Sequence, residues 1–158
     1  MKALKSEEPT FRLDENYSSS PTSSFDEDKS KGLKTSEINF KFREEFPDPK
    51  IRRKQCKIIR KKYPDKIPII IEKNSNSNIS NIDKTKYLIP LDLTVSQFSY
   101  MIRKRIKLSN ESAFFLLVNG KISITGDSLL SDIYERYQDP EDSFLYITYS
   151  SELTWGNI

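Results

Sequence analysis

The chain has no histidine and only one cysteine, Cys56, among its 158 residues. Without histidine, no Ser-His or Cys-His nucleophile can be built, and most zinc sites are excluded. With one cysteine there is no internal disulfide, and without an imidazole base Cys56 reads as a small, inert hydrophobe. No catalytic centre, metal or cofactor is expected. Long apolar runs are also missing, and none approaches the ~20 residues a membrane span requires. Charged residues make up 31% against 35% hydrophobic, and the mean hydropathy is -0.65, so the chain reads as soluble. Its first residues carry charges and no hydrophobic stretch, so a secretory signal is not expected and an intracellular site is the default. The net charge of +3 is too small to imply a polyanion partner by itself.

Residues 1–36 consist mostly of Ser, Glu, Asp, Lys and Pro, with Phe11, Tyr17 and Phe25 as the only aromatics. Such a segment cannot bury enough apolar surface to offset its ordering entropy, so a disordered arm is expected. Residues 37–150 are read as one domain and 151–158 as a flexible tail. Phe42 and Phe46, four apart, predict a short amphipathic helical turn stopped by Pro47. Asp48 can cap a second helix, with Pro49 at its first position, which ends at Lys62 because Tyr63 precedes Pro64. Its apolar side is thin, with Ile51, Ile58, Ile59 and Tyr63. Arg52, Arg53, Lys54, Lys57, Arg60, Lys61 and Lys62 cover the remainder, as expected of a surface helix.

Residues 66–72 alternate, with Ile67, Ile69 and Ile71 on one face and Pro68, Ile70 and Glu72 on the other, so both faces are expected to be covered. Residues 86–91 predict a strand that Pro90, lacking a ladder donor, assigns to a sheet edge or a strand end. Thr94 and Gln97 form a capping box for a helix that turns Val95, Phe98, Ile102 and Ile106 inward and crowds Arg103, Lys104 and Arg105 into its last turn. Residues 114–118 read as a buried central strand, followed by an Asn119-Gly120 hairpin turn and a strand over 121–124. Asp127 or Ser128 is expected to cap a last helix containing Leu129, Leu130, Ile133 and Tyr137. A strand over 144–149 follows.

Strand, strand, helix, strand, strand, helix, strand is the order of an α+β ubiquitin-like β-grasp, a four- to five-stranded mixed sheet around one main helix, here preceded by two N-terminal helices. The segments YPDKIPIIIEK (63–73), IDKTKYLIPLDLTVSQFSYMIRKRIKL (82–108), LLSDIYE (129–135) and FLYITYS (144–150) make the likeness specific. The chain resembles the ubiquitin-like modifiers of autophagy, the family of the GABA-receptor-associated proteins, from about residue 40 to residue 156. The arm has no counterpart in typical members.

That resemblance implies cleavage after a C-terminal glycine, here Gly156, by a cysteine protease that removes Asn157 and Ile158. Activating and conjugating enzymes then join Gly156 to phosphatidylethanolamine, which distributes the protein between cytoplasm and autophagosome membrane. Ser151, Leu153 and Trp155 replace the Gly, Asn and Phe most members carry. A flexible tail end that happens to contain glycine is the plain alternative.

The resemblance also implies capture of aromatic-x-x-aliphatic peptides from cargo receptors and adaptors, added as a parallel strand to the 86–91 strand that contains Tyr87. Matching positions for the aromatic anchor are Ile59, Pro68, Ile70, Lys86, Leu88 and Phe144. Those for the aliphatic anchor are Tyr63, Ile89, Pro90, Leu93, Phe98 and Met101. Lys66, Lys84, Lys86, Arg103 and Arg105 would meet an acidic flank, and ordinary core packing or a solvated face is the alternative for each set. Gln55 stands where relatives often have Glu. Residues 114–118 are a weaker candidate for a second docking strand. Two other readings stay open: an interaction module that is never conjugated, and a nucleic-acid binder using the basic helix 50–62. The latter lacks interleaved aromatics, so no nucleic-acid partner is expected.

Overall fold

The computed structural model describes residues 38–153. The expectations for the arm, and those for Gly156 and Asn157, lie outside these residues. In chain order the elements are α1 (Lys41–Glu45), α2 (Pro49–Lys62), β1 (Lys66–Lys73), β2 (Lys86–Pro90), α3 (Val95–Arg105), β3 (Phe115–Val118), β4 (Ile122–Ile124), α4 (Leu130–Tyr137) and β5 (Leu145–Ser150). The strands form one mixed sheet in the order β2-β1-β5-β3-β4, with β1 and β5 parallel and the other neighbours antiparallel. This is the expected β-grasp with two helices before it. One expectation holds only in part: β3 is an interior strand, between β5 and β4, but it buries only alternate residues, whereas all six residues of β5 are buried. The apolar run of β3 reflects one fully covered face and not two.

The alternation of β1 separates two cores. Ile67, Ile69 and Ile71 join Tyr87 and Ile89 of β2 and Val95, Phe98 and Ile102 of α3 on one face. On the other, Ile70 and Leu88 meet Phe144 and Tyr146 beneath Phe40, Phe42, Cys56 and Ile59 of the N-terminal segment. Pro68 costs the sheet nothing: the amide of Ile71 donates to Thr85 O (2.8 Å), so the pairs that exchange hydrogen bonds across β1 and β2 are the odd-numbered ones, and Pro68 faces Leu88 in a non-bonded pair. On its other side β5 pairs only from Ile69 onward.

Helix α3 starts with the expected capping box, Thr94 Oγ1 accepting from the Gln97 amide (3.2 Å) and Gln97 Oε1 from the Thr94 amide (2.9 Å). Helix α4 corrects the expectation for Asp127 and Ser128. Its N-cap is Leu129, with no side-chain cap, and the Leu130 amide donates to Leu93 O (2.9 Å) while the Val95 amide donates to Ser128 O (2.9 Å). The two helix starts satisfy each other through main chain that is remote in sequence. Helix α1 is likewise capped from a distance: both Glu72 carboxylate oxygens accept, from the Lys41 (2.8 Å) and Phe42 (3.1 Å) amides.

Helix α2 keeps its expected bounds and its Asp48 cap but is turned differently from the sequence reading. Ile58 is 48% exposed, while Arg52 is 4% exposed on the inner face with Gln55, Cys56 and Ile59. Arg52 Nε donates to Asp142 Oδ2 (2.8 Å) and Nη1 to Phe46 O (2.7 Å). Asp142, fully buried, also accepts from the Tyr146 hydroxyl and the Phe144 amide. Arg43 adds an ion pair to Asp139 (2.6 Å) and lies 4.1 Å from the Tyr146 ring centroid. These contacts fasten the N-terminal helices to the start of β5.

Burial pushes the Cys56 thiol from 9.0 up to about 12 and the Tyr134 hydroxyl from 10.0 up to about 12, and it raises Tyr87 and Tyr146 further. Each group ionises more readily when unfolded, so its contribution to stability is intact below the ordinary value and is lost as pH rises toward the folded value. The melting temperature is expected to fall steeply between pH 9 and about 12, the window set by Cys56. A pH series of thermal melts checks this, and a flat profile across that window contradicts it.

Candidate functional site

Strand β2 is an edge of the sheet. Because Thr85, Tyr87 and Ile89 direct their backbone groups toward β1, Lys86 and Leu88 direct theirs away from it, to the side where the sheet has no further strand among the described residues. Pro90 keeps only a carbonyl. Side chains alternate in the orthogonal sense, with Lys86 and Leu88 on the face of the N-terminal helices and Tyr87 and Ile89 on the face of α3. The outer edge of β2 therefore runs along the seam between two apolar clusters.

The structure brings Ile59, Ile70, Leu88 and Phe144 into one cluster, with Pro68 buried on the same face of β1. None of them is an open wall. Ile70 and Phe144 are fully buried, and the position is roofed by Phe42 and Phe46, whose ring centroids are 5.4 Å apart. The Lys86 ammonium lies 5.7 Å and 5.6 Å from those two centroids. The four-residue spacing of Phe42 and Phe46 identified a helical turn, but nothing in it indicated that the turn lies over β2. Cys56, read from the sequence only as a small, inert hydrophobe, also belongs to this cluster.

The second set divides. Ile89 and Phe98 are buried in the α3-side core and Leu93 and Met101 pack half-buried against it, whereas Tyr63 packs on the N-terminal cluster with Ile38 and Phe46. Pro90 is half-buried at the end of β2. Tyr63 thus stands across the seam from the residues it was grouped with.

The basic residues are similarly spread. Lys86 and Lys66 mark the two ends of the β1-β2 ladder, opposite Ile70 and Pro90. Lys84 is half-buried just before β2. Arg105 is held by a two-pronged pair to Asp83 (2.8 and 2.9 Å), which keeps it near the β2 entrance. Arg103 is drawn elsewhere: it donates to Ser109 O (2.9 Å) and Ser112 O (3.0 Å) and lies over the Phe114 ring (5.7 Å). Gln55 is buried on the inner face of α2. Beside Lys86 a cleft of about 280 Å³ opens between Phe42, Glu45, Glu72 and Thr85, at the end of β2 where a parallel strand would enter.

Strand β3, the weaker candidate, has β5 on one side and, along Leu116–Val118, β4 on the other. Among the described residues no group of three or more His, Cys, Asp or Glu side chains could hold a metal, and no helix is long and apolar enough to cross a membrane. What the arrangement offers is a backbone template flanked by two apolar clusters and a cation.

The family described as "Autophagy protein Atg8 ubiquitin like" matches residues 51–156. Autophagy-related protein 8 of Coccidioides immitis (strain RS) is 54% identical over 117 residues, covering 74% of this chain and 97% of the relative. Autophagy-related protein 8e of Arabidopsis thaliana is 56% identical over 105 residues, 66% of this chain and 84% of the relative. The Neurospora crassa Autophagy-related protein 8 is 54% identical, covering 74% of this chain and 94% of its own. On these matches this chain belongs to the Atg8 family of autophagy proteins, which are ubiquitin-like and non-enzymatic.

Proposed function

We propose that this protein is conjugated through Gly156 to phosphatidylethanolamine on autophagosomal membranes and there recruits cargo receptors and adaptors through the outer edge of β2. The conjugation half rests on family membership and on a match that ends at Gly156. A cysteine protease adds water across the Gly156–Asn157 peptide bond, leaving a carboxylate on glycine and releasing Asn157-Ile158. That carboxylate condenses with the lipid amine to an amide with loss of water, after activation by the pathway's enzymes. Glycine suits this role because a terminus without Cβ can thread narrow catalytic channels. Two acyl chains then hold the protein to the bilayer far better than one would.

The capture half rests on one observation, the edge strand lying between two cores. A peptide extended along β2 sends successive side chains to opposite faces. Two anchors whose positions differ by an odd number therefore meet opposite clusters, and a difference of three moves the second anchor from the Lys86–Leu88 level to the level of Pro90 and Leu93. The aromatic anchor belongs on the side of Phe42 and Phe46, where it displaces or joins their rings. The aliphatic anchor belongs on the side of Ile89, Leu93 and Met101. Leu88 supplies an outward N–H and C=O to the new ladder, and Lys86, Lys66 and Lys84 attract an acidic flank. The basic face of α2 carries no interleaved aromatics, so the structure gives no support to nucleic-acid binding.

Two experiments test the two halves. Intact mass after incubation with cell extract under autophagy induction should show loss of Asn157-Ile158 and then a phospholipid adduct, both prevented by Gly156→Ala; an unchanged mass contradicts conjugation. Lys86→Glu should weaken an acidic aromatic-x-x-aliphatic peptide by about tenfold, mostly through slower association and with a reduced salt dependence, as titration calorimetry and stopped-flow would register. Unaltered affinity removes Lys86 from the site.

A further inference from the structure

The chain carries its own version of the peptide that the β2 edge is read to accept. Outside the described residues the aromatics are Phe11, Tyr17, Phe25 and Trp155. Three positions after the first three stand Asp14, Ser20 and Asp28, but three after Trp155 stands Ile158. An acidic residue, Glu152, precedes the pair. We propose that the uncleaved tail, with Trp155 and Ile158 as its anchors, docks on the β2 edge of a second copy of this chain, and that cleavage after Gly156 abolishes the contact by removing Ile158. This rests on the peptide-capture reading of β2.

The geometry selects a second copy over the same molecule. A strand added outside β2 is three inter-strand steps from β5, ~14 Å sideways. Ser150 also lies four residues beyond Tyr146, whose neighbours across the sheet are Ile70 and then Lys86, or ~13 Å along the strands. The straight path to the aromatic position is thus on the order of 19 Å. Five residues link Ser150 to Trp155, and fully extended they reach at most ~18 Å. They do not start extended: Ser150 Oγ donates to Glu152 O (2.8 Å), and the Ser151 amide donates to Ser77 Oγ (3.2 Å), which bends the chain and tethers it to the loop after β1. The tail falls short of its own groove.

A tail on one copy and a groove on the next make a heterologous contact that grows into chains or closes into a ring. Uncleaved protein would occupy its grooves with tails. Hydrolysis at Gly156 leaves Trp155 but deletes the aliphatic anchor, a change that lowers affinity about tenfold or more. Each groove then becomes available to receptor peptides at the step that readies the glycine for conjugation.

Trp155 is the only tryptophan, so its fluorescence reports on the tail alone. For the full chain, the emission maximum should shift to shorter wavelength and the sedimentation coefficient should rise as concentration increases. Both changes should be lost in a chain ending at Gly156, in Ile158→Asp, whose change lies outside the described fold, and in Lys86→Glu. A synthetic Phe-x-x-Ile peptide with an acidic flank, free of tryptophan, serves as the control. If it binds while the full chain stays monomeric with solvent-like emission, the tail inference is overturned and the capture reading stands. Should neither bind, both fall. Association that persists in the chain ending at Gly156, or a shift independent of concentration, also overturns the proposal.

Discussion

The carboxylate of Asp142 is the point on which the candidate binding face depends. Fully buried, it accepts from the Arg52 guanidinium, the Tyr146 hydroxyl and the Phe144 amide, and so joins α2 to the first residues of the central strand. Breaking such a pair from one side leaves a charge without its partner and costs ~3–5 kcal/mol, which is large against the few kcal/mol that stabilise a small domain. That joint acts beside the Glu72 cap on α1 and the Arg43–Asp139 ion pair, and it is the most deeply buried of the three. With it, Phe40, Phe42, Cys56 and Ile59 complete a second core over the face of β1 and β2 that α3 does not cover.

A sheet buried on both faces up to its edge is unusual in what it presents to a partner. An exposed edge strand normally risks uncontrolled pairing. Here β2 is short, ends at Pro90 and starts beside lysine and arginine side chains, which discourage nonspecific addition while favouring an acidic strand. Under the proposed capture, the two apolar clusters would convert a generic template into a reader of spacing, because strand alternation fixes which face each anchor meets. Phe42 and Phe46, with the Lys86 ammonium over both rings, cover the side proposed for the aromatic anchor, so under that proposal binding there includes the cost of rearranging those rings.

Most of this was legible in the sequence, for local reasons. Capping residues, proline positions and the 2-residue and 3.6-residue periods act within a few neighbours, so the Thr94–Gln97 box, the ends of α2, the Asn119-Gly120 turn (φ 52° and 69°) and the edge character of β2 all follow from adjacent residues. What the sequence concealed depends on remote partners. Arg52 looked like surface charge because its counter-charge is ninety residues away at Asp142. Asp127 and Ser128 looked like caps because the Leu93 carbonyl that serves α4 arrives through tertiary docking. β3 looked buried on both faces because a four-residue apolar run does not tell one buried face from two. Within the candidate site, the pocket positions came from resemblance, and alternation placed Pro68 with Ile70 and Lys86 with Leu88. The roof of Phe42 and Phe46, the distant partners of Arg103 and the displacement of Tyr63 to the other cluster required the fold itself.

The central claim is that partners add as a strand to the outer edge of β2, and amide hydrogen exchange tests it most directly. In a complex with an acidic aromatic-x-x-aliphatic peptide, the Leu88 amide, directed away from β1, should slow its exchange by an order of magnitude or more, while Tyr87 and Ile89, already bonded to β1, change little. Peptide binding that leaves Leu88 exchanging at its original rate, or that protects β4 instead, would contradict the account.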